Sequence, residues 1–122
     1  MTQSKQKKIL VVDDEPDIVE FLQALLRQDG YSVTATSQGE YAEQIHSDDL
    51  PDLILMDIFL SGKDGREIVR HLKSREETRH IPIILFSAHP NTEESARAVG
   101  ADDFVAKPFD VERLLTKIAG HF

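Results

Sequence analysis

The chain has 122 residues, with 14 Lys plus Arg against 22 Asp plus Glu, a formal net charge of −8 with histidines neutral. One domain is expected at this length, with a core large enough to need neither disulfide nor structural metal. The absence of Cys removes disulfide frameworks, thiolate zinc sites and cysteine nucleophiles together, and an acidic chain without Trp lacks the positive field that direct nucleic-acid binding requires.

Residues 1–7 read as a polar tail. The apolar run behind them, Ile9-Leu10-Val11-Val12, is too short for a signal-peptide core, and no stretch approaches a membrane span, so membrane insertion is not expected and a cytoplasmic setting is. That run is β-branched and bounded by charge, which suits a strand buried on both faces of a sheet. Pro16 then stands where the first turn of a helix tolerates it, and Ile18, Val19, Phe21, Leu22, Leu25 and Leu26 form one broad stripe ending before Gly30.

The pattern recurs along the chain. Ser32 to Thr36 predicts a modest strand, and a weak helix from about Gln38 to His46 has only Tyr41, Ala42 and Ile45 to bury. Leu53 to Met56 is a clear strand, and the helix from about Gly65 carries Ile68, Val69 and Leu72. Ile81 to Phe86 is the strongest strand, with Pro82 near its start, where a missing donor is tolerated best. Asn91 to Val99 makes a poor helix before Gly100, Phe104 to Ala106 a short fifth strand, and Val111, Leu114, Leu115 and Ile118 fall at i, i+3, i+4, i+7 of a last helix. Five strands alternating with five helices imply an α/β fold: a doubly wound, five-stranded parallel sheet with the flavodoxin-like order 2-1-3-4-5.

In such sheets ligands sit beyond the carboxyl ends of the strands. Asp13 and Asp14 follow the first strand, Asp57 the third, Ser87 the fourth, and Lys107 with Pro108 the fifth. Each has an ordinary explanation alone: acidic residues before Pro16 cap a helix, and a serine at a strand end is a turn residue. Asp57 is harder to explain so, because it lies between four apolar residues and Ile58-Phe59-Leu60, where a carboxylate is costly without compensation. Together, these residues converge on one rim. Two carboxylates about 5 Å apart repel by roughly 3 kcal/mol at an effective dielectric near 20, so three clustered ones call for a cation. Oxygen ligands without His or Cys favour a hard divalent ion, magnesium above all. With Lys107 and the Ser87 hydroxyl added, the pocket suits a phosphoryl group, and Asp57, on the central strand, is the expected nucleophile.

These pieces resemble the receiver domain of two-component response regulators. The likeness runs from Ile9 to about Ile118, through Ile9 to Glu15, Asp52 to Asp57, Asp64-Gly65, Ile83 to Ala88, Gly100 to Phe104 and Lys107-Pro108-Phe109. The resemblance implies that Asp57 is the phosphoacceptor, that Asp13 and Asp14 hold magnesium with Asp57 and the Phe59 backbone carbonyl, and that Lys107 contacts the phosphoryl group. It makes Ser87 the switch hydroxyl and Phe104 the switch aromatic. It further implies transfer from a phosphohistidine on a histidine kinase or histidine phosphotransfer protein, and signalling to a downstream protein target through the face of the fourth helix, fifth strand and fifth helix. Residues 1–122 are then one receiver, which catalyses only its own phosphorylation and dephosphorylation. No G-x-x-x-x-G-K-[ST] loop is present to handle ATP.

Two positions depart from the family pattern. Ser61 stands where a proline is usual, four residues after Asp57, and Lys63 where an apolar residue is usual; a more flexible loop is expected, with Lys63 facing solvent or an acidic partner. The bulk of Phe59 is expected to shield the acyl phosphate from water, with His89 as a second tuner of hydrolysis. Histidines 46, 71, 80, 89 and 121 show no ligand spacing and are expected at the surface. Two other classes stand against the switch: a phosphatase with an Asp nucleophile, which wants a second Asp where Phe59 stands, and a receiver-like scaffold without chemistry, which wants a missing core residue. The last helix is expected to run to Phe122, so a stand-alone receiver is expected; a receiver excised from a longer regulator with an output domain is the alternative.

Overall fold

Alternate residues of a strand face opposite sides of its sheet, so a run such as Ile9-Leu10-Val11-Val12 has to be covered on both faces. The computed structural model, which describes residues 6–45 and 48–122, covers it in that way. The strands β1 (Lys8–Val12), β2 (Ser32–Thr36), β3 (Leu53–Asp57), β6 (Ile83–Ser87) and β7 (Asp103–Ala106) form one parallel sheet in the order β2-β1-β3-β6-β7. Two short strands, β4 (Phe59–Leu60) and β5 (Lys63–Asp64), make a separate antiparallel hairpin. With the hairpin set aside, the winding is the expected 2-1-3-4-5.

Ile9, Val11, Leu53, Leu55, Ile84, Phe86 and Val105 point to one face, where they meet Leu22 and Leu26 of α1 (Pro16–Gln28) and Leu114 and Ile118 of α5 (Val111–Ala119). Their neighbours Leu10, Val12, Ile54, Met56, Ile83, Leu85 and Phe104 point to the other. There they meet Ala42 of α2 (Gly39–Glu43), Ile68, Val69 and Leu72 of α3 (Gly65–Ser74) and Ala96 of α4 (Glu93–Ala98). Each fully buried Leu or Ile contributes about 2 kcal/mol of transfer free energy, so both layers are needed to hold the sheet. Asp64 and Asp110 cap α3 and α5, accepting from the Arg66 N–H at 2.9 Å and the Arg113 N–H at 3.1 Å.

Some expected boundaries move. The second helix spans only Gly39–Glu43 where Gln38 to His46 was expected; Arg75, from beyond α3, donates to the carbonyls of Glu43 and Ile45 and terminates it, while His46 lies outside the described residues. Residues 1–5 of the polar tail lie outside them too. The fourth sheet strand begins at Ile83, because Pro82 has no N–H and joins the ladder only through its carbonyl, which accepts from Ile54 N–H at 2.9 Å. The expected helix from Asn91 is divided: Pro90–Thr92 forms a 3-10 turn and α4 starts at Glu93. The hairpin was not foreseen. Within its connection Ser61 is bonded to Asp14, and Lys63 pairs with an acidic residue, Glu43 on α2, the second of the two settings expected for it.

Candidate functional site

The sheet places the ends of β1, β3, β6 and β7 side by side. Asp57 closes β3 opposite Phe86, and Ser87 closes β6 opposite Ala106, so Asp57, Ser87 and Lys107 step across three neighbouring strands. Asp13, the first residue beyond β1, is tied to β2 by its own N–H on the Thr36 carbonyl at 3.1 Å.

Asp13, Asp57 and Ser87 are buried, and Asp14 is half-buried. The Lys107 Nζ lies 3.1 Å from Asp13 Oδ2, 3.2 Å from Asp57 Oδ2 and 3.5 Å from Glu15 Oε1, bridging strands that the sequence separates by up to 94 residues. Nζ also lies over the Phe86 ring, 4.8 Å from its centroid. The second oxygen of each buried carboxylate takes a backbone donor: Glu15 N–H to Asp13 Oδ1 at 2.9 Å, Phe59 N–H to Asp57 Oδ1 at 3.2 Å. Asp14 is held differently, by Ser61. Ligand oxygens of Asp13, Asp14 and Asp57 lie within 4.8 Å of one another. Among the described residues this is the one such metal-ligating group, and no histidine belongs to it.

Burial pushes the Asp57 carboxyl above its usual range, and the Lys107 ammonium and the Phe59 N–H only partly offset this. For Lys107, burial acts to lower its pKa, but Asp57 and Asp13 outweigh it and hold the ammonium above its usual range. Asp57 thus holds its proton more tightly chiefly because it is buried, with a smaller contribution from Asp13, and Lys107 because carboxylates surround it; the centre as a whole sets three aspartates against one ammonium. A divalent cation would neutralise that excess. The donors are hard oxygens without nitrogen or sulfur, so the site fits magnesium on the chemistry of its ligands.

Ser87 Oγ accepts from the His89 N–H at 2.9 Å, and the Ser87 carbonyl accepts from the Lys107 N–H at 2.8 Å. The peptide bond between Lys107 and Pro108 is cis. Phe104 is 5% exposed, its ring inside the layer beneath α2, α3 and α4. Phe59 is 47% exposed; its ring meets His89 edge to face at 5.3 Å and lies under the Arg66 guanidinium at 5.6 Å. Of the other described histidines, His71 and His80 are exposed, while His121 is half-buried against Asp103, contrary to the surface position expected of it.

The structure thus gathers Asp13, Asp14, Asp57 and Lys107 at one point and sets Ser87, Phe59 and His89 on its rim. Sequence reasoning missed Glu15 as a third partner of Lys107 and Ser61 as the partner of Asp14; the second had a signal, since a hydroxyl residue stands where proline is usual. It also missed why Gly65 is glycine. A Cβ there would lie 2.5 Å from the Asp57 carbonyl oxygen and 3.0 Å from Ile58 Cα, so α3 starts closer to the end of β3 than any side chain permits.

Comparison with known proteins agrees with this geometry. The response regulator receiver domain family matches residues 9–119. The phosphate regulon transcriptional regulatory protein PhoB of Rhizobium meliloti (strain 1021) is 38% identical over 113 residues, which are 91% of this chain and 50% of PhoB. The chain therefore spans about half the length of that curated relative. A putative response regulator from Chloroflexus aurantiacus superposes with a TM-score of 0.90 at 29% identity, covering 96% of this chain and 98% of that one. The response regulator TrrA from Thermotoga maritima, solved with magnesium and beryllium fluoride, superposes at 0.85 with 32% identity, covering 96% and 100%. The fold, the strand-end constellation and these likenesses agree, and the chain belongs to the response regulator receiver domain family of two-component signalling.

Proposed function

We propose that the chain is a phosphorylation-controlled switch in which Asp57 takes a phosphoryl group from a phosphohistidine on a histidine kinase or histidine phosphotransfer protein. One observation carries the reading: a single half-buried ammonium, Lys107, lies within 3.2 Å of carboxylates from two different strand ends, Asp13 and Asp57. A carboxylate oxygen of Asp57 attacks phosphorus, the P–N bond breaks, and its electron pair stays on the imidazole nitrogen. Lys107 then exchanges its ion pair with the Asp57 oxygen for one with a phosphoryl oxygen, while Asp13 keeps the ammonium in place. Asp13, Asp14, Asp57 and the Phe59 carbonyl would hold magnesium. When bound, the ion supplies positive charge against the phosphoryl oxygens. The magnesium in the TrrA structure supports that assignment by likeness.

In this account the Ser87 hydroxyl, now accepting from the His89 N–H, turns to donate to the phosphoryl group, and Phe104 packs behind it. The face of α4, β7 and α5 then changes shape and acts on a downstream protein. Phe59 and His89 form the outer wall of the site and slow attack by water on the acyl phosphate. No free substrate turns over. The net charge of −8 favours a partner with a basic docking face and disfavours direct contact with nucleic acid. No described helix is long and apolar enough to cross a membrane, which accords with a cytoplasmic place of action.

A second reading has its own support. The chain matches half of PhoB, so the same receiver placed in a longer regulator would act on an output domain of its own chain. The chemistry at Asp57 is identical in both. Beryllium fluoride with magnesium, which imitates the acyl phosphate, tests the switch: amide resonances of Ser87, Phe104 and α4 shift in the wild type and not in Asp57→Asn. An unchanged spectrum in the wild type would refute it.

A further inference from the structure

The three carboxylates of the site are not held alike. Asp13 and Asp57 each bridge to Lys107 and each take a backbone N–H from the residue two positions on. Asp14 sits on the exposed link between β1 and α1, and its partner comes from 47 residues away. The Ser61 backbone N–H donates to Asp14 Oδ2 at 2.9 Å, and the Ser61 hydroxyl donates to the same oxygen.

Ser61 is itself well placed to hold a ligand. It forms the turn of the β4–β5 hairpin with Gly62, whose φ of +73° a glycine adopts without steric cost. The hairpin is pinned beside Asp57, where the Gly65 N–H donates to the Ile58 carbonyl at 2.6 Å, and at its far end by Lys63, which pairs with Glu43 of α2. Leu60 is buried in the core, so the turn is carried on a seated strand. A proline at this position would have neither the N–H nor the hydroxyl. Both donors at residue 61 are therefore particular to a chain that departs from proline there.

We propose that Ser61 is a positioning residue of the cation site, fixing the Asp14 carboxylate through Oδ2 and leaving Oδ1 for the ion. The inference rests on the magnesium reading above. Held by two donors, Asp14 is set in one rotamer before the ion arrives, so the ordering that binding would otherwise impose on a loop carboxylate is already done. Groups that orient metal ligands in this way change metal affinity by about 10–100-fold when removed. Here the backbone N–H survives in Ser61→Ala and the site is open to water, so a loss of about 5-fold is expected.

The test is a magnesium titration by calorimetry with no phosphoryl donor present, so that its readout is independent of activity. Wild type, Ser61→Ala, Ser61→Thr and Asp13→Asn are compared, with thermal melts in parallel. We expect Ser61→Ala to bind magnesium about 5-fold more weakly, Ser61→Thr to stay within about 2-fold of wild type, and all four to melt cooperatively. Equal or tighter binding by Ser61→Ala overturns the proposal; tighter binding means that Ser61 competes with the ion for Asp14. Equal weakening in the alanine and threonine variants overturns it as well, because the position would then act through hairpin packing. If wild type and Asp13→Asn bind alike or not at all, the magnesium reading itself fails and this inference with it.

Discussion

Gly65→Ala separates packing at the site from helix propensity, because the two predict opposite signs. Gly65 is the first residue of α3, and propensity alone makes alanine there favourable by up to about 1 kcal/mol. The structure says otherwise: the new Cβ would stand 2.5 Å from the Asp57 carbonyl oxygen and 3.0 Å from Ile58 Cα. Both are backbone atoms of the segment that carries Asp57, so no rotamer change relieves the contact. Overpacking of this kind costs about 1–3 kcal/mol, and a rigid backbone neighbour puts it in the upper half, about 2–3 kcal/mol. For 122 residues at about 2.1 cal/mol/K each, the unfolding entropy is about 0.26 kcal/mol/K, so Tm falls by about 8–12 °C. Gly62→Ala is the comparison. Nothing lies within 4 Å of a Cβ there, and only the φ of +73° is unfavourable, at about 1 kcal/mol. Thermal unfolding followed by far-UV circular dichroism in the presence of a chelator measures both. A Gly65→Ala protein that melts at or above wild type, or above Gly62→Ala, would refute the close approach of α3 to Asp57.

Two further predictions concern an ion cluster at the end of β7 remote from the site and a side chain at the edge of the site. Asp103 joins Arg97, Lys117 and His121; burial acts against its charge, but the Lys117 ammonium first, with the Phe104 N–H and His121, brings its pKa down to about 2. A depressed folded-state pKa stabilises fully above the unfolded value of about 3.9, and that contribution disappears as pH falls through about 2. Asp103→Asn is therefore expected to lose about 2 kcal/mol at neutral pH by urea unfolding, with the difference from wild type vanishing near pH 2; a constant difference down to that pH would contradict the ion cluster. Phe59→Asn removes the ring that covers the site beside His89, and the phosphorylated form should decay several-fold faster when followed by intact mass. An unchanged decay removes Phe59 from the control of hydrolysis.

The fold was legible where burial on both faces writes itself as continuous apolar runs, as in Ile9 to Val12, Leu53 to Met56 and Ile83 to Phe86. The carboxylates were legible for a related reason: Asp57 interrupts an apolar segment at a strand end, where a charge needs a partner. What escaped depends on contacts between distant residues. Arg75 ends α2 by bonding the Glu43 and Ile45 carbonyls, about 30 positions away, and no local pattern announces it. The β4–β5 hairpin has two residues per strand, too few to show a period of two. Ser61 and Asp14 meet only because the hairpin folds back over the β1–α1 link. Pro82 and Pro90 were visible as residues, but whether a proline shifts a boundary by two positions or divides a helix is settled by its neighbours in space.

The central claim, that the cluster around Lys107 makes Asp57 a phosphoryl acceptor, is tested most directly by intact-mass measurement after incubation with acetyl phosphate. Wild type and Asp57→Asn are each treated with and without magnesium. The account predicts one phosphoryl adduct on the wild type, dependent on magnesium and lost in the variant. No adduct under any condition, or an adduct that survives in Asp57→Asn, would contradict it and return the chain to a receiver-shaped scaffold that binds partners without chemistry.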